Sequence, residues 1–222
     1  MNMLSPSRAR LSVDVILDLV CPWCYLGTTR LLRALNRHPA IAFDLEWSPF
    51  LLNPEMSHQG APRADYLVRK FGSHERAERL QHTIETLGKA EGIDFRFDLI
   101  TRTPSSIDAH RVVALASHLG MGRAMVETLF AAHFCEGANI GDPVCLQHLG
   151  GKVGLPPAAL QTLLSNHDGA EKIHAENLRA HRMGVNGVPC FILGKRHAIA
   201  GAQEVEVFER LIDMALADNN KS

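Results

Sequence analysis

The 222-residue chain lacks the features that mark several large classes of protein. It has only five cysteines, which are too few for a disulfide-stapled scaffold, and their number is odd. No stretch approaches the roughly 20 consecutive apolar residues that span a membrane. Its net charge is only −1, from 23 lysines and arginines and 24 aspartates and glutamates, whereas nucleic-acid binding needs a basic surface. We therefore expect a globular protein that binds neither nucleic acid nor membrane.

The N-terminal region does not resemble a secretion signal. Its apolar run from Leu11 to Val20 is interrupted by Asp14 and Asp18, whereas a signal peptide needs an unbroken run of about 7–15 apolar residues. We therefore expect a cytoplasmic protein. Thiols are kept reduced in the cytoplasm, so the cysteines are expected to be catalytic, metal-binding or simply buried rather than joined in structural disulfides.

Hydrophobic patterning changes twice along the chain. Apolar runs and alternating residues near both ends indicate strands beside helices, whereas the middle shows helical periodicity without a convincing strand. We expect an α/β frame formed by residues 1–56 and 184–222, enclosing an inserted helical domain over residues 57–183. The expected strands cover Leu11–Leu19, Ala40–Trp47, Pro189–Leu193 and His197–Ala200.

The strongest motif is the pair Cys21 and Cys24, which stands between the first predicted strand and the first predicted helix. A helix N-terminus has unpaired N–H groups and the positive end of the helix dipole, and both stabilise a thiolate. Pro22 suits the first helical turn because it needs no backbone partner there. We predict that Cys21 is the attacking thiol and that Cys24, one turn further on, is the more buried resolving thiol.

Two other uses of a Cys-x-x-Cys motif stay open at this point. Half of a zinc site would need a second cysteine pair or suitably spaced histidines. Cys135 and Cys145 stand ten residues apart, and none of the 12 histidines forms an HxxH or HxxxH spacing. We therefore expect no metal site and favour redox chemistry, with a non-redox thiol site as the other alternative.

The second motif is the segment GVNGVP at residues 184–189, directly before a predicted strand. Most X-Pro bonds are trans, but together with the cysteine pair this segment predicts a cis bond between Val188 and Pro189. Facing the cysteines, such a turn leaves the backbone N–H and C=O of the preceding residue free to pair with an extended substrate.

These motifs together resemble the DsbA-like thioredoxin-fold oxidoreductases, and within them the cytoplasmic FrnE-like branch. The resemblance rests on CPWCYLG at 21–27, WSPFLLNP at 47–54, the helix start DAHR at 108–111, GVNGVP at 184–189 and IAGAQ at 199–203. It implies an α/β thioredoxin fold with a large all-helical insertion. The wider superfamily includes 2-hydroxychromene-2-carboxylate isomerases and kappa-type glutathione transferases, which typically carry serine at the position of Cys21.

Further site residues are expected from this resemblance and from neighbouring strands. Trp47 and Phe50 are predicted to lie beside the cysteine pair, and His110 to reach the cleft from the inserted domain. The expected substrate-binding set is thus Pro22, Trp23, Val188, Pro189, Trp47, Phe50 and His110. Cys190, which follows the predicted cis-proline, is expected to be either a small buried hydrophobe or a third thiol that modulates the pair.

The sequence therefore predicts a thiol–disulfide oxidoreductase or isomerase that acts through Cys21 and Cys24. Its expected substrates are protein or small-molecule disulfides and dithiols, and a redox partner is expected to recycle it. One alternative is a glutathione-dependent isomerase or transferase acting on a small molecule, and another is a metal-binding or non-catalytic module. No bound cofactor is expected, glutathione being considered as a co-substrate, and a homodimer is considered as the assembly.

Overall fold

The computed structural model describes residues 9–219 of the chain. Its strands are β1 (Arg10–Leu17), β2 (Ala42–Pro49), β3 (Ala61–Pro62), β4 (Arg102–Thr103), β5 (Cys190–Leu193) and β6 (His197–Ala200). Its helices are α1 (Pro22–Asn36), α2 (Arg63–Phe71), α3 (His74–Ala90), α4 (Ile107–His118), α5 (Gly122–Glu136), α6 (Pro143–Val153), α7 (Pro157–Leu164), α8 (Ala170–Arg182) and α9 (Val205–Asn219). Phe97–Leu99 forms a single 3₁₀ turn.

The main sheet has the strand order β2-β1-β5-β6, and β1 therefore lies inside it. β1 runs parallel to β2 and antiparallel to β5, and β5 and β6 form an antiparallel hairpin. Val13, Val15 and Leu17 of β1 are almost fully buried, as expected for a central strand covered on both faces. Because β1 leads directly into α1, the start of this helix is fixed against the middle of the sheet.

Residues 57–183, called the helical segment below, lie between β2 and β5 and are mostly helical, but not purely so, and the described residues outside them are called the frame. β3 and β4 pair antiparallel through Ala61 with Thr103 and Pro62 with Arg102. The expectation of an all-helical insertion without strands is corrected in this detail. Two-residue strands are too short to show alternation in the sequence, and this ladder forms only when segments about 40 residues apart meet.

An aromatic cluster fixes the helical segment against the start of α1. Tyr25 stacks on Phe130 with ring centroids 5.1 Å apart, and it meets the edge of Phe95 at 5.6 Å. Phe134 packs against the same group. Such aromatic pairs add about 0.5–1.5 kcal/mol each beyond the burial of their area. Because Tyr25 directly follows Cys24, this packing places the helical segment beside the cysteine pair.

A buried ion pair strengthens the same junction. The guanidinium of Arg30 in α1 donates to the carboxylate of Glu91 at 2.7 Å, and both side chains are almost fully buried. Arg33 donates to the other oxygen of this carboxylate. Removing one partner of such a pair would leave an uncompensated buried charge, which typically costs about 3–5 kcal/mol. None of the helices in the described part of the chain is long and apolar enough to cross a membrane.

Candidate active site

Cys21 is the N-cap residue of α1, and Pro22 occupies the first turn. Its backbone carbonyl accepts hydrogen bonds from the amides of Cys24 and Tyr25 at 3.0 and 3.3 Å. Its side chain is 4% exposed, and its Sγ lies 3.8 Å from the carbonyl oxygen of Val188. The thiol therefore stands at the positive end of a helix dipole with a backbone acceptor opposite it.

Cys24 differs sharply from Cys21 in its surroundings. It is fully buried, and its Sγ accepts the backbone N–H of Asp18 at 3.5 Å. Burial raises the pKa of the Cys24 thiol well above its ordinary value, and the neighbouring Cys21 thiol raises it further. Both cysteines are free thiols. The pair therefore joins a thiol near the surface to a neutral thiol held beneath it.

A buried carboxylate lies on the inner side of the pair. Asp18 is 1% exposed, and its two oxygens accept the amides of Val20 at 3.3 Å and Leu52 at 2.8 Å. Its charge is close enough to Cys24 to raise the pKa of that thiol, although burial and Cys21 contribute more. Asp18 is thus an ionisable group held within electrostatic reach of the buried sulfur.

His110 of α4 approaches this carboxylate from the helical segment. Its Nε2 lies 3.7 Å from Oδ1 of Asp18, and both side chains are buried. Within residues 9–219, this Nε2 atom is one of four buried side-chain polar atoms without a hydrogen-bond partner. An unpaired buried polar group lowers the stability of the fold by about 1–3 kcal/mol. The position of His110 beside Asp18 therefore suggests a function for this side chain.

The turn opposite the cysteines packs closely on α1. The peptide bond between Val188 and Pro189 is cis. A Cβ atom at Gly27 would lie 2.9 Å from Cγ of Pro189 and 3.2 Å from Cζ of Phe191. Real Cβ atoms do not approach as closely as 2.9 Å. Gly27 therefore allows α1 to lie against the turn and keeps Cys21 within reach of Val188.

A cavity of about 270 Å³ opens next to Cys21. The frame contributes one side of it and the helical segment the other, and most of the wall is apolar. Its lining includes Cys21, Trp23 and Val188 from the frame and Leu67, Phe71 and Leu80 from the helical segment. Two cationic side chains, Arg63 and Lys70, also line it. Burial lowers the pKa of Arg63, which lies 5.4 Å from the centroid of the Phe97 ring.

A second, larger groove of about 940 Å³ lies beside this cavity and shares Leu52, Tyr66 and Lys70 with it. Neither cysteine of the pair lines the larger groove. Of these two cavities, only the smaller one is lined by Cys21.

The structure brings together some of the predicted site residues and separates others. Pro22, Trp23 and Val188 line the cavity with Cys21, and Pro189 packs against α1. Trp47 and Phe50 do not line the cavity, which corrects their expected position. Trp47 lies on the edge strand β2, where a Cβ at Gly122 would come within 2.9 Å of its ring. Phe50 is buried with its ring centroid 4.8 Å from that of His181.

The remaining three cysteines lie in packed surroundings. Cys190 is buried in a small apolar cluster with Ile16, Phe50 and Val185. Burial is the main cause that raises the pKa of Cys135, Cys145 and Cys190. This environment agrees with the expectation of a small buried hydrophobe at Cys190, and it keeps all three thiols protonated at neutral pH.

Sequence reasoning missed two parts of the site. Asp18 stands out in the sequence only because it interrupts an apolar run, although an acid between a buried strand and Cys21 is itself a signal. Arg63, Lys70 and the apolar residues of α2 and α3 carry no motif. They reach the cavity only through the packing of the helical segment onto α1.

This fold and site define a thioredoxin-fold protein with a Cys-x-x-Cys pair at the N-terminus of α1. A family model described as the DSBA-like thioredoxin domain matches residues 12–213 of the chain. The chain belongs to this family, and the predicted thioredoxin fold with a helical insertion is confirmed. The resemblance to the DsbA-like family, drawn from CPWCYLG, GVNGVP and the other motifs, is likewise confirmed.

Individual relatives span nearly the whole chain. The Bacillus subtilis protein YwbO is 27% identical over 202 residues, which cover 90% of this chain and 94% of that protein. A crystal structure of a probable DsbA oxidoreductase from Streptomyces coelicolor is 27% identical, with a TM-score of 0.83 over 94% of this chain and 91% of its own. A structure of the cytosolic disulfide reductase DsbM from Pseudomonas aeruginosa with GSH is 22% identical, with a TM-score of 0.62 over 95% and 98%.

Proposed function

We propose that the protein is a thiol–disulfide oxidoreductase that acts through Cys21 and Cys24. The asymmetry of the pair is the observation that carries this proposal. Cys21 borders a cavity at a helix N-terminus, whereas Cys24 is fully buried beneath it beside Asp18. This is the arrangement that an attacking thiol and a resolving thiol require.

The exchange proceeds in two steps that balance in electrons and protons. The thiolate of Cys21 attacks one sulfur of a substrate disulfide, the substrate S–S bond breaks, and the leaving sulfur takes up a proton. Cys24 then gives its proton to a base and attacks Sγ of Cys21, which releases the second substrate thiol. The enzyme ends as the Cys21–Cys24 disulfide, and two electrons have passed to the substrate.

Asp18 is the base that we assign to the second step. Its carboxylate is buried within electrostatic reach of Cys24, and burial makes direct loss of this proton to water slow. His110 acts as a positioning residue, because its Nε2 faces Oδ1 of Asp18 at 3.7 Å. Run backwards, the same steps oxidise a dithiol substrate.

Substrate chains are held by the surface around Cys21. We assign the backbone of Val188 to pairing with an extended substrate, since its carbonyl already faces Cys21 Sγ at 3.8 Å. Pro22, Trp23 and Pro189 bound the same surface. The apolar wall from α2 and α3 accommodates a hydrophobic side chain next to the substrate disulfide.

The test is thiol–disulfide exchange with a model protein disulfide such as insulin. We expect the wild-type protein to catalyse the reaction and Cys21→Ser to abolish it. Cys145→Ser is the matched control, because it also removes one thiol but lies in the helical segment away from the cavity. Equal activity of Cys21→Ser and the wild type, or no exchange by the wild type, contradicts the proposal.

A second candidate uses glutathione as the co-substrate, in a redox or an isomerase reaction. Arg63 and Lys70 beside Cys21 favour it, because they place two cations where the carboxylates of a tripeptide thiol can reach them. The cytosolic reductase DsbM, solved with GSH, has the same fold. The test is the rate at which glutathione reduces the oxidised protein. A slower reduction of Arg63→Gln than of the wild type supports this use, whereas equal rates contradict it. In either case we propose a cytosolic location and a redox partner that recycles the pair.

A further inference from the structure

Three side chains capable of binding a metal meet on the helical segment. His58 precedes β3, Asp108 lies in the first turn of α4, and His167 lies in the loop between α7 and α8. One ligand atom from each residue lies within 4.8 Å of the others. The two imidazole rings approach to 3.0 Å between Nε2 of His58 and Nδ1 of His167, and Nδ1 of His58 lies 3.7 Å from Oδ2 of Asp108. We propose that these residues form a binding site for a divalent transition-metal ion, with Zn²⁺ as the best match.

The spacing of these atoms suits zinc. A tetrahedral Zn²⁺ with ligands about 2.0–2.1 Å away requires ligand atoms roughly 3.3 Å apart. One ligand atom from each residue already lies within 4.8 Å of the others, so small side-chain rotations bring the three to this spacing. The contacts at 3.0 and 3.7 Å involve different nitrogens of His58, and only one of these nitrogens would bind the ion. His58 has an exposed side chain, 54% accessible, so its ring can rotate to direct one nitrogen to the ion. A third protein ligand leaves the fourth position for water.

The ligand types select the class of metal. Two imidazole nitrogens and one carboxylate suit Zn²⁺ and its neighbours, whereas Mg²⁺ and Ca²⁺ favour sites made of oxygen atoms. The carboxylate of Asp108 has one oxygen paired with Arg111 at 2.6 Å, while the other faces His58. The second oxygen is thus directed toward the two rings.

Arg111 holds the ligands in place before an ion arrives. Besides Asp108, its guanidinium donates to the carbonyls of Leu163 at 2.6 Å and Asp168 at 2.9 Å, and to the side chain of Asn166 at 3.2 Å. One buried side chain therefore ties the carboxylate ligand to the loop that carries His167. Such outer contacts orient metal ligands, and their loss typically costs 10–100-fold in metal affinity.

The ion would join three segments that are distant in sequence. It would connect the loop before β3, the start of α4 and the loop after α7. His110, which faces Asp18 beneath the cysteine pair, lies two residues after Asp108 on the same helix. An ion bound only by the folded chain stabilises it, and the stabilisation grows with the logarithm of the ion concentration once this exceeds Kd. The site is separate from the redox chemistry, and the sequence predicted no metal because the three ligands share no local spacing.

Zinc binding to the double variant Cys21→Ser/Cys24→Ser tests this inference without interference from the active-site thiols. We expect one Zn²⁺ per chain by calorimetry and by metal analysis after dialysis, and no comparable binding of Mg²⁺. His58→Ala or His167→Ala added to this background should weaken zinc binding by at least about tenfold. His82→Ala is the matched control, because it removes an exposed histidine of α3 that lies outside the proposed site and should leave the affinity unchanged.

Thermal unfolding gives a second measurement on the same proteins. Zn²⁺ should raise the Tm of the background variant and of its His82→Ala form, and it should raise the Tm much less in His167→Ala. His58 and His167 are exposed, so their replacement is expected to leave the fold intact, as circular dichroism can verify. Absence of zinc binding by the background variant would overturn the inference. Binding that survives both histidine substitutions would overturn it as well.

Discussion

The frame and the helical segment meet at the cysteine pair, and they supply different things to it. The frame contributes both sulfur atoms, the carboxylate of Asp18 and the Val188 backbone, all within reach of the N-terminus of α1. The helical segment contributes an apolar wall and His110. On the proposed function, we infer from this difference that the frame carries out bond exchange, whereas the helical segment selects the substrate and shields Asp18 from water.

The variant with the largest expected effect is Cys24→Ser, which tests the role of the frame in bond exchange. Cys21 keeps its thiol, so attack on a substrate disulfide continues, but no thiol remains to resolve the intermediate. We expect turnover to fall by about two orders of magnitude or more, with a mixed disulfide at Cys21 accumulating. Non-reducing electrophoresis and mass spectrometry detect this species. Cys190→Ser, which removes another buried thiol of the frame, should not trap it.

The pH dependence of stability isolates the contribution of the helical segment. Burial lowers the pKa of His133 to about 4, despite the hydrogen bond that its Nδ1 makes to Ala138 at 2.9 Å. The unfolded chain binds a proton near pH 6.5 and the folded chain does not. The free energy of unfolding therefore has its full value above pH 6.5 and loses up to about 3 kcal/mol by pH 4.

Urea unfolding at pH 7.5 and pH 4.5 measures this loss. His133→Gln lowers the free energy of unfolding at both pH values, because the ring packs edge-on against Phe134. Between pH 7.5 and pH 4.5, however, this variant should lose clearly less free energy of unfolding than the wild type. His82→Gln, on the exposed face of α3, should lose as much as the wild type. If the free energy of unfolding of His133→Gln falls between the two pH values as much as that of the wild type, His133 is not the group that causes the pH dependence.

Asp18→Asn tests whether the frame also supplies the base. The amide keeps the shape of the side chain and can accept the Leu52 amide, but it cannot accept the proton of Cys24. We expect resolution of the mixed disulfide to slow by about a hundredfold, the lower end of the range for a positioned base, while its formation is unchanged. Stopped-flow kinetics separate the two steps. Asp14→Asn, which changes a half-buried acid of the neighbouring strand β1, should leave both steps unchanged.

Leu80→Glu probes the wall that the helical segment adds to the cavity. A carboxylate on this apolar surface opposes binding of a hydrophobic chain, so KM for a protein disulfide should rise by about tenfold. Exchange with a small hydrophilic disulfide, which needs only the frame, should be almost unaffected. Leu178→Glu on α8, at an exposed position outside the cavity, is the control. Equal effects on both substrates would contradict the division of roles.

Features encoded by neighbouring residues could be predicted from the sequence. The pair Cys21 and Cys24 lies within one helical turn, and the periodicity of most of the helices follows from the burial of one face. The βαβ start and the final hairpin were likewise expected where they occur. Boundaries differ by a few residues, since helix ends depend on caps and on the first turn.

Contacts between distant segments could not be predicted in this way. Three features depend on how the helical segment packs on the sheet. They are the β3–β4 ladder, the approach of His110 to Asp18, and the position of Trp47 and Phe50 outside the cavity. The three metal-binding side chains are a further case, because His58 and His167 are 109 residues apart and meet side by side.

The sequence by itself determined the fold family, the cysteine pair and the order in which its two thiols are exposed, because each follows from residues within a few positions of one another. The tertiary structure alone decided which groups surround that pair. His110, Arg63 and Lys70 reach the pair or its cavity only because the helical segment packs against α1, and Asp18 gains His110 as a neighbour in the same way. The physical reason is that burial and electrostatic proximity are properties of packed segments, and local sequence patterns do not specify how those segments pack.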